Sequence, residues 1–204
     1  GGVYSQQITP SKMKTRSRYF IILSSLLLLV VYFFPLWSIS LEAPQYPQGI
    51  KMFIWVNQIT GQDDNTIQNI NILNHYIGMK YIEPDSIPEL TYFPWVIGCL
   101  IGTGLLVALL KNSKVAFAWV LILTVLSIVG LYDFYMWEYD YGHDLNPEAP
   151  IQIEGQAYQP PFIGSKMLLN FKATSWPHIG GIALFLSVIL GNLIWFTELR
   201  KKKA

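Results

Sequence analysis

The chain has 204 residues, of which 52% are apolar and 13% charged, with a formal net charge of +1. Charged residues make up about a quarter of an average soluble domain, so this composition excludes an ordinary soluble globule and points to a membrane protein. The single cysteine, Cys99, excludes a disulfide framework, a CxxC redox pair, a cysteine zinc knuckle and a CxxCH haem attachment.

Residues 1–18 read as a basic cytoplasmic segment carrying Lys12, Lys14, Arg16 and Arg18. Met13 resembles an initiator, so residues 1–12 read as a tag, an upstream start or a fitted stretch and receive no function. Residues 19–39 (YFIILSSLLLLVVYFFPLWSI) carry no charge and are long enough to cross about 30 Å of hydrocarbon. MKTRSR before an apolar run also fits a signal peptide, with Ser38-Ile39-Ser40 as its cleavage site. Phe33-Phe34-Pro35-Leu36-Trp37 is too bulky for such an end, and an uncleaved first span is expected.

A long loop, residues 40–91, follows. Pro44 and Pro47 suggest an extended exit from the membrane. Lys51 to Ile59 (KMFIWVNQI) is rich in β-branched and aromatic residues and predicts a short strand. After a polar turn, Thr66 is placed to cap a helix in which Ile67, Ile70, Leu73 and Ile77 recur near the helical period. On it His75 and Met79, at i and i+4, are expected to share a face. Residues 92–110 form a second span and 115–137 a third, joined by the turn Lys111-Asn112-Ser113-Lys114. Cys99 lies within the second span and reads as a small apolar filler. Asp133, near the end of the third, is read as reaching back to the interface.

The second long loop, residues 138–178, contains five prolines and is expected to be extended in its middle. Ile151 to Glu154 alternates like a strand, and Met167 to Phe171 is a short apolar patch. Residues 179–197 make the fourth span, and 198–204 a basic cytoplasmic tail. Irregular backbone cannot satisfy its polar groups in lipid, so all four spans should be helices.

Charge fixes the orientation. Ten of the fourteen basic residues flank the first span, the short turn and the last span. Positive residues stay cytoplasmic, which puts both termini inside and both long loops outside. The expected fold is therefore an all-α membrane protein: a four-helix transmembrane bundle, N-in and C-in, whose outer loops pack together as a small mixed cap. Each loop alone is too short to bury a core.

All three histidines (His75, His143, His178) and four of the five methionines (Met52, Met79, Met136, Met167) fall at or beyond the outer boundary. Imidazole and thioether without an outer thiolate suit copper, particularly Cu(I), better than zinc or calcium. His75, Met79, His143 and Met167 are the candidate metal-contacting residues, with a third donor from the second loop completing the first pair. Methionine is also a common gap filler, and Met167 beside Leu168-Leu169 fits packing equally. No serine elbow, P-loop, dinucleotide fingerprint or HExxH is present, so the chain is not expected to be an enzyme. The basic segments are short and cytoplasmic, and no nucleic-acid partner is expected.

The loop stretches LEAPQYPQGIKMFIWVNQITG, INILNHYIGMK, YGHDLNPEAPIQIEG and YQPPFIGSKMLLNF resemble small integral membrane proteins encoded in bacterial nitrous-oxide reductase gene clusters. That resemblance implies a multi-pass protein of the bacterial inner membrane with periplasmic loops. It also implies a setting of copper handling, with a copper chaperone or the cuproenzyme among its partners, and it draws attention to Asn74, His75 and Met79, then His143. Two functions are carried forward. One is an accessory factor for copper handling or maturation of a periplasmic cuproenzyme. The other is a non-catalytic subunit of a larger respiratory or transport complex, suggested by small residues such as Gly102, Gly104 and Gly191 that permit close helix packing.

Overall fold

The computed structural model describes residues 12–199; the end of the basic tail, 200–204, and most of the stretch before Met13 lie outside the described residues. Four helices are long and apolar enough to cross a membrane. α1 (Thr15–Leu27) continues as a 3₁₀ stretch, Leu28–Tyr32, and is followed by β1 (Trp37–Ala43), β2 (Tyr46–Ile54), β3 (Ile59–Gly61) and α2 (Thr66–Ile77). Next come α3 (Glu89–Leu110), α4 (Ser113–His143), β4 (Gly164–Leu168), β5 (Phe171–Pro177) and α5 (Ile179–Leu199).

The helices meet through small and hydroxyl side chains, as expected where lipid offers no hydrophobic drive for association. Ser24 on α1 donates to the Ser187 carbonyl of α5 at 2.7 Å, and Ser187 donates back to the Ser24 carbonyl at 2.7 Å. At Gly104 of α3, an added Cβ would lie 2.1 Å from Ser25 Oγ and 2.5 Å from the Trp119 ring. Trp119 of α4 donates its indole N–H to the Leu100 carbonyl at 3.1 Å, tying α4 to α3. At the end opposite the sheet, Lys111 closes the turn with φ +55°. Asn112 then caps α4 by accepting from the Lys114 amide at 3.0 Å.

The cap corrects the all-α expectation. It is built on one five-stranded antiparallel sheet in the order β3-β2-β1-β5-β4. Its central strand, β1, pairs with β2 of its own loop and with β5 of the other (Ile39 opposite Met52 and Ser175). Both loops therefore sit at one end of the bundle as a single unit. The first span also ends earlier than expected, at Tyr32 rather than residue 39. Pro35 lacks an amide hydrogen to continue a helix, and Trp37-Ser38-Ile39-Ser40 alternates, burying Trp37 and Ile39.

Other strands differ as well. The expected strand Lys51 to Ile59 is split, β2 ending at Ile54 and β3 starting at Ile59. Pro44 sits in the β1–β2 turn rather than in an extended exit. Ile151 to Glu154 is not a strand; the Ile151 amide reaches the Tyr76 carbonyl at 2.9 Å instead of a sheet edge. The patch at Met167 to Phe171 is a hairpin whose turn holds Leu169 at φ +56°.

α4 has 31 residues, which at about 1.5 Å each is about 46 Å, well beyond a hydrocarbon thickness of about 30 Å. Its last turns accordingly rise into the cap, where Phe134, Trp137 and Tyr141 pack on the cluster formed by Trp37, Ile39, Met52 and Ile70. These α4 residues recur at three- and four-residue steps and share one face. Glu138 stands in the middle of that face.

Candidate functional site

α2 stops because Gly78 adopts φ +82°, a left-handed conformation that glycine takes without strain. The Met79 amide bonds back to the Asn74 carbonyl at 2.9 Å and the Gly78 amide to the His75 carbonyl at 3.4 Å. This is the Schellman closure of a helix end. Met79 consequently lies beyond the helix. The expected shared helical face of His75 and Met79 is not formed: His75 is exposed, while Met79 is half-buried and lines the cavity described below.

The same glycine is where the two loops meet. The Asn146 amide donates to the Gly78 carbonyl at 2.8 Å. Lys80 pairs with Asp144 at 2.6 Å, and Tyr141 donates to the Tyr81 carbonyl at 3.1 Å. The bond to Asp144 raises the Lys80 amine above its ordinary value. This junction joins the immediate chain neighbours of Met79 and His143, namely Lys80 and Asp144. His75 lies at the same place, its Nδ1 3.3 Å from the Tyr81 hydroxyl. His143 is stacked on Tyr139 with ring centroids 3.9 Å apart. Its Nδ1 bonds the Tyr139 carbonyl at 2.9 Å. A carbonyl only accepts, so Nδ1 carries the proton in the neutral ring and Nε2 is left with its lone pair. Both histidines are exposed.

Met167 does not join them. It is 62% exposed on β4, the edge strand farthest from β2 and β3, against which α2 packs. Met52 is buried in β2. Among the described residues no three His, Cys, Asp or Glu side chains gather as a ready ligand set.

Between α2, the sheet and the end of α4 lies a cavity of about 320 Å³. Its wall is mainly apolar and includes Ile39, Leu73, Ile77, Met79, Trp137 and Phe171. Its polar lining includes Gln45, Asn74 and Asn170, and two further polar side chains there stand without a partner. Glu138 is fully buried and neither carboxyl oxygen has a hydrogen-bond partner; Tyr158 is 2% exposed and its hydroxyl has none. Burial pushes the Tyr158 phenol above its ordinary value. The placement of Tyr158 follows from Gly142: the Tyr158 amide donates to the Gly142 carbonyl at 2.9 Å. A Cβ at Gly142 would stand 2.4 Å from the next backbone nitrogen, that of Gln159. Only a residue without a side chain lets that strand of loop lie against α4, one turn from Glu138.

Sequence reasoning missed Glu138 and Tyr158. The signal for Glu138 was present: the helical spacing Phe134, Glu138, Tyr141 runs on past Trp137, with no proline or glycine before Gly142. Tyr158 carries no comparable signal, because its burial depends on a loop returning to a distant helix. No family model, curated protein or solved structure matches this chain.

Proposed function

We propose that this chain is a membrane-anchored accessory factor that handles copper at the outer face for a periplasmic cuproenzyme of the nitrous-oxide reductase type. The observation that supports the reading is the loop junction, where Lys80, next to Met79 in the chain, and Asp144, next to His143, are joined at 2.6 Å, and His75 contacts Tyr81. Thioether and imidazole suit Cu(I) as cargo, and exposed histidines with a free ring nitrogen suit a metal that must be passed on. These ligands also bind without the proton release that a thiol requires. The resemblance of the loops, including Asn74-His75-Tyr76-Ile77-Gly78-Met79, supports the setting. In this reading the junction faces the periplasm and partners are a copper chaperone or the cuproenzyme; the chain itself carries out no chemistry.

The test is copper content after anaerobic Cu(I) loading of the purified protein, alongside copper in the target enzyme in cells. A His75→Ala, His143→Ala double variant should lose at least half of the bound copper while inserting normally. Equal loading by the variant would sink the proposal.

A second reading, a non-catalytic subunit of a larger membrane complex, is favoured by one feature of the bundle. α3 and α4 leave an open groove of about 570 Å³ along Trp95, Cys99, Thr103 and Ile122. Cys99 is exposed there, so thiol cross-linking through it in native membranes reports whether a partner helix fills the groove.

A further inference from the structure

The cap cavity shares Met79 and Tyr141 with the loop junction but neither histidine, and it asks for a different kind of ligand. An engineered apolar cavity of about 150 Å³ is enough to hold benzene, and this one, about 320 Å³, is roughly twice that. Small-molecule sites combine an apolar wall with a few placed polar groups, and here the unpartnered ones are Glu138 and Tyr158. Buried polar groups in native proteins are almost always hydrogen-bonded. Leaving a buried donor or acceptor unmade costs about 1–3 kcal/mol, so two orphans among the side chains that line one cavity are costly unless something bonds them.

We propose that the cap cavity binds a neutral amphipathic molecule carrying a hydroxyl or carbonyl oxygen, with its oxygen bonded by Glu138 and Tyr158 and its apolar body against Leu73, Ile77 and Trp137. The polar pair fixes the orientation: oxygen toward α4 and the returning loop, apolar body toward α2. Neutral chemistry is preferred over a cation because an ammonium would surrender its full hydration for one carboxylate in an apolar chamber, and such pairs seldom recover that loss. The inference does not rest on the copper reading, since it uses neither histidine.

Three probes of one ring system separate the alternatives in full-length protein held in lipid nanodiscs: 1-naphthol, naphthalene and 1-naphthylmethylamine. Empty nanodiscs supply the lipid-partition background. Saturable binding of 1-naphthol above that background is expected, about tenfold tighter than naphthalene, with the amine no tighter than naphthalene. Tyr158→Phe and Glu138→Leu should each weaken 1-naphthol by about tenfold and leave naphthalene unchanged. Their melting temperatures show that the cap is intact. Leu73→Trp, which fills the cavity, should abolish saturable binding of all three; if that variant does not fold, the two polar variants decide alone. Equal binding of naphthol and naphthalene overturns the role of the polar pair. Tighter binding of the amine that depends on Glu138 overturns the neutral class in favour of a cation site. Absence of saturable 1-naphthol binding overturns the proposal altogether. Copper loading is read separately, so loss of one activity leaves the other measurable.

Discussion

Gly78 is constrained both by its backbone conformation and by what packs against it. Its φ of +82° ends α2, and a Cβ there would lie 2.9 Å from the Asn146 carbonyl oxygen and 3.0 Å from the Ala149 Cβ. Gly78→Ala should therefore cost about 1–3 kcal/mol, from left-handed strain and from pushing the loops apart, read as a lower melting temperature in detergent. Gly102→Ala is the control, because nothing lies within 4 Å of its added Cβ. It should be neutral or gain up to about 1 kcal/mol from helix propensity. Glu138→Leu should have the opposite sign to Gly78→Ala. Removing a buried carboxyl without a partner should stabilise the ligand-free protein by about 1–3 kcal/mol, at the expense of binding, the usual trade at a functional site. The Lys80–Asp144 pair is exposed, 51% and 69% at its side chains, and surface pairs contribute little. With the lysine raised, its contribution is present below the ordinary lysine value of 10.5 and fades only as pH rises past the folded value. Stability should thus show no break from this pair at neutral pH, and Lys80→Met should melt close to wild type there.

At the scale of elements, lipid made the helices legible and partner strands made the sheet obscure. Four apolar runs of span length can only be helices in hydrocarbon, and four such helices appear among the described residues. β1 hid because Trp37 to Leu41 continues the apolar run of the first span without a gap, so a hydropathy window carried the helix to residue 39. The alternation of serine with Trp37 and Ile39 was the visible clue. Ile151 to Glu154 shows the converse: it alternates, yet its Ile151 amide bonds the Tyr76 carbonyl and Gln152 turns back to the Ala149 carbonyl at 3.1 Å. The site was legible in the same uneven way. Gly78 as a helix stop can be read locally, and there the first loop meets the second through the Asn146–Gly78 and Ile151–Tyr76 backbone bonds, while His143 contacts Tyr139 of its own helix. The cavity was not legible, because Tyr158 and Glu138 are 20 residues apart in sequence and come together only through Gly142. The contact between α1 and α5 gives its own prediction. Ser187→Ala removes one of two reciprocal serine bonds and should cost about 0.6 kcal/mol, the average for such bonds in membranes. Ser187→Leu should cost several times more, since Ser187 and Ser24 are both fully buried in that seam. Unfolding titrations in mixed micelles read both, and equal costs would show that the seam is loosely packed.

For the molecule as a whole, the sheet is the lock between two helical hairpins. The first half supplies α1, β1 to β3, α2 and α3; the second supplies α4, β4, β5 and α5. They are covalently joined only through the turn at Lys111 and Asn112, yet they meet along the β1–β5 ladder from Trp37–Pro177 to Glu42–Lys172 and along the α1–α5 serine seam. Positive residues at that turn and at both ends predict that the turn is cytoplasmic and the sheet outside. In a Cys99→Ser background, cysteines placed at Asp64 and at Glu148, both exposed, should be labelled in intact spheroplasts by a membrane-impermeant maleimide. Labelling that needs permeabilisation would reverse the topology. The lock itself predicts that the covalent turn is dispensable. Each half contains two spans and inserts as a helical hairpin, whereas neither can complete the sheet or cover the apolar face of α4. Co-expressed halves, split between Lys111 and Asn112 with a short basic extension on each new end, should therefore co-purify in mild detergent and keep the near-ultraviolet dichroism of the intact chain. Replacing Ala173, fully buried on β5 opposite Leu41, by lysine should abolish that association while leaving each half in the membrane. Halves that stay together despite Ala173→Lys would mean that the helices alone hold them, and that the cap forms on a bundle already assembled.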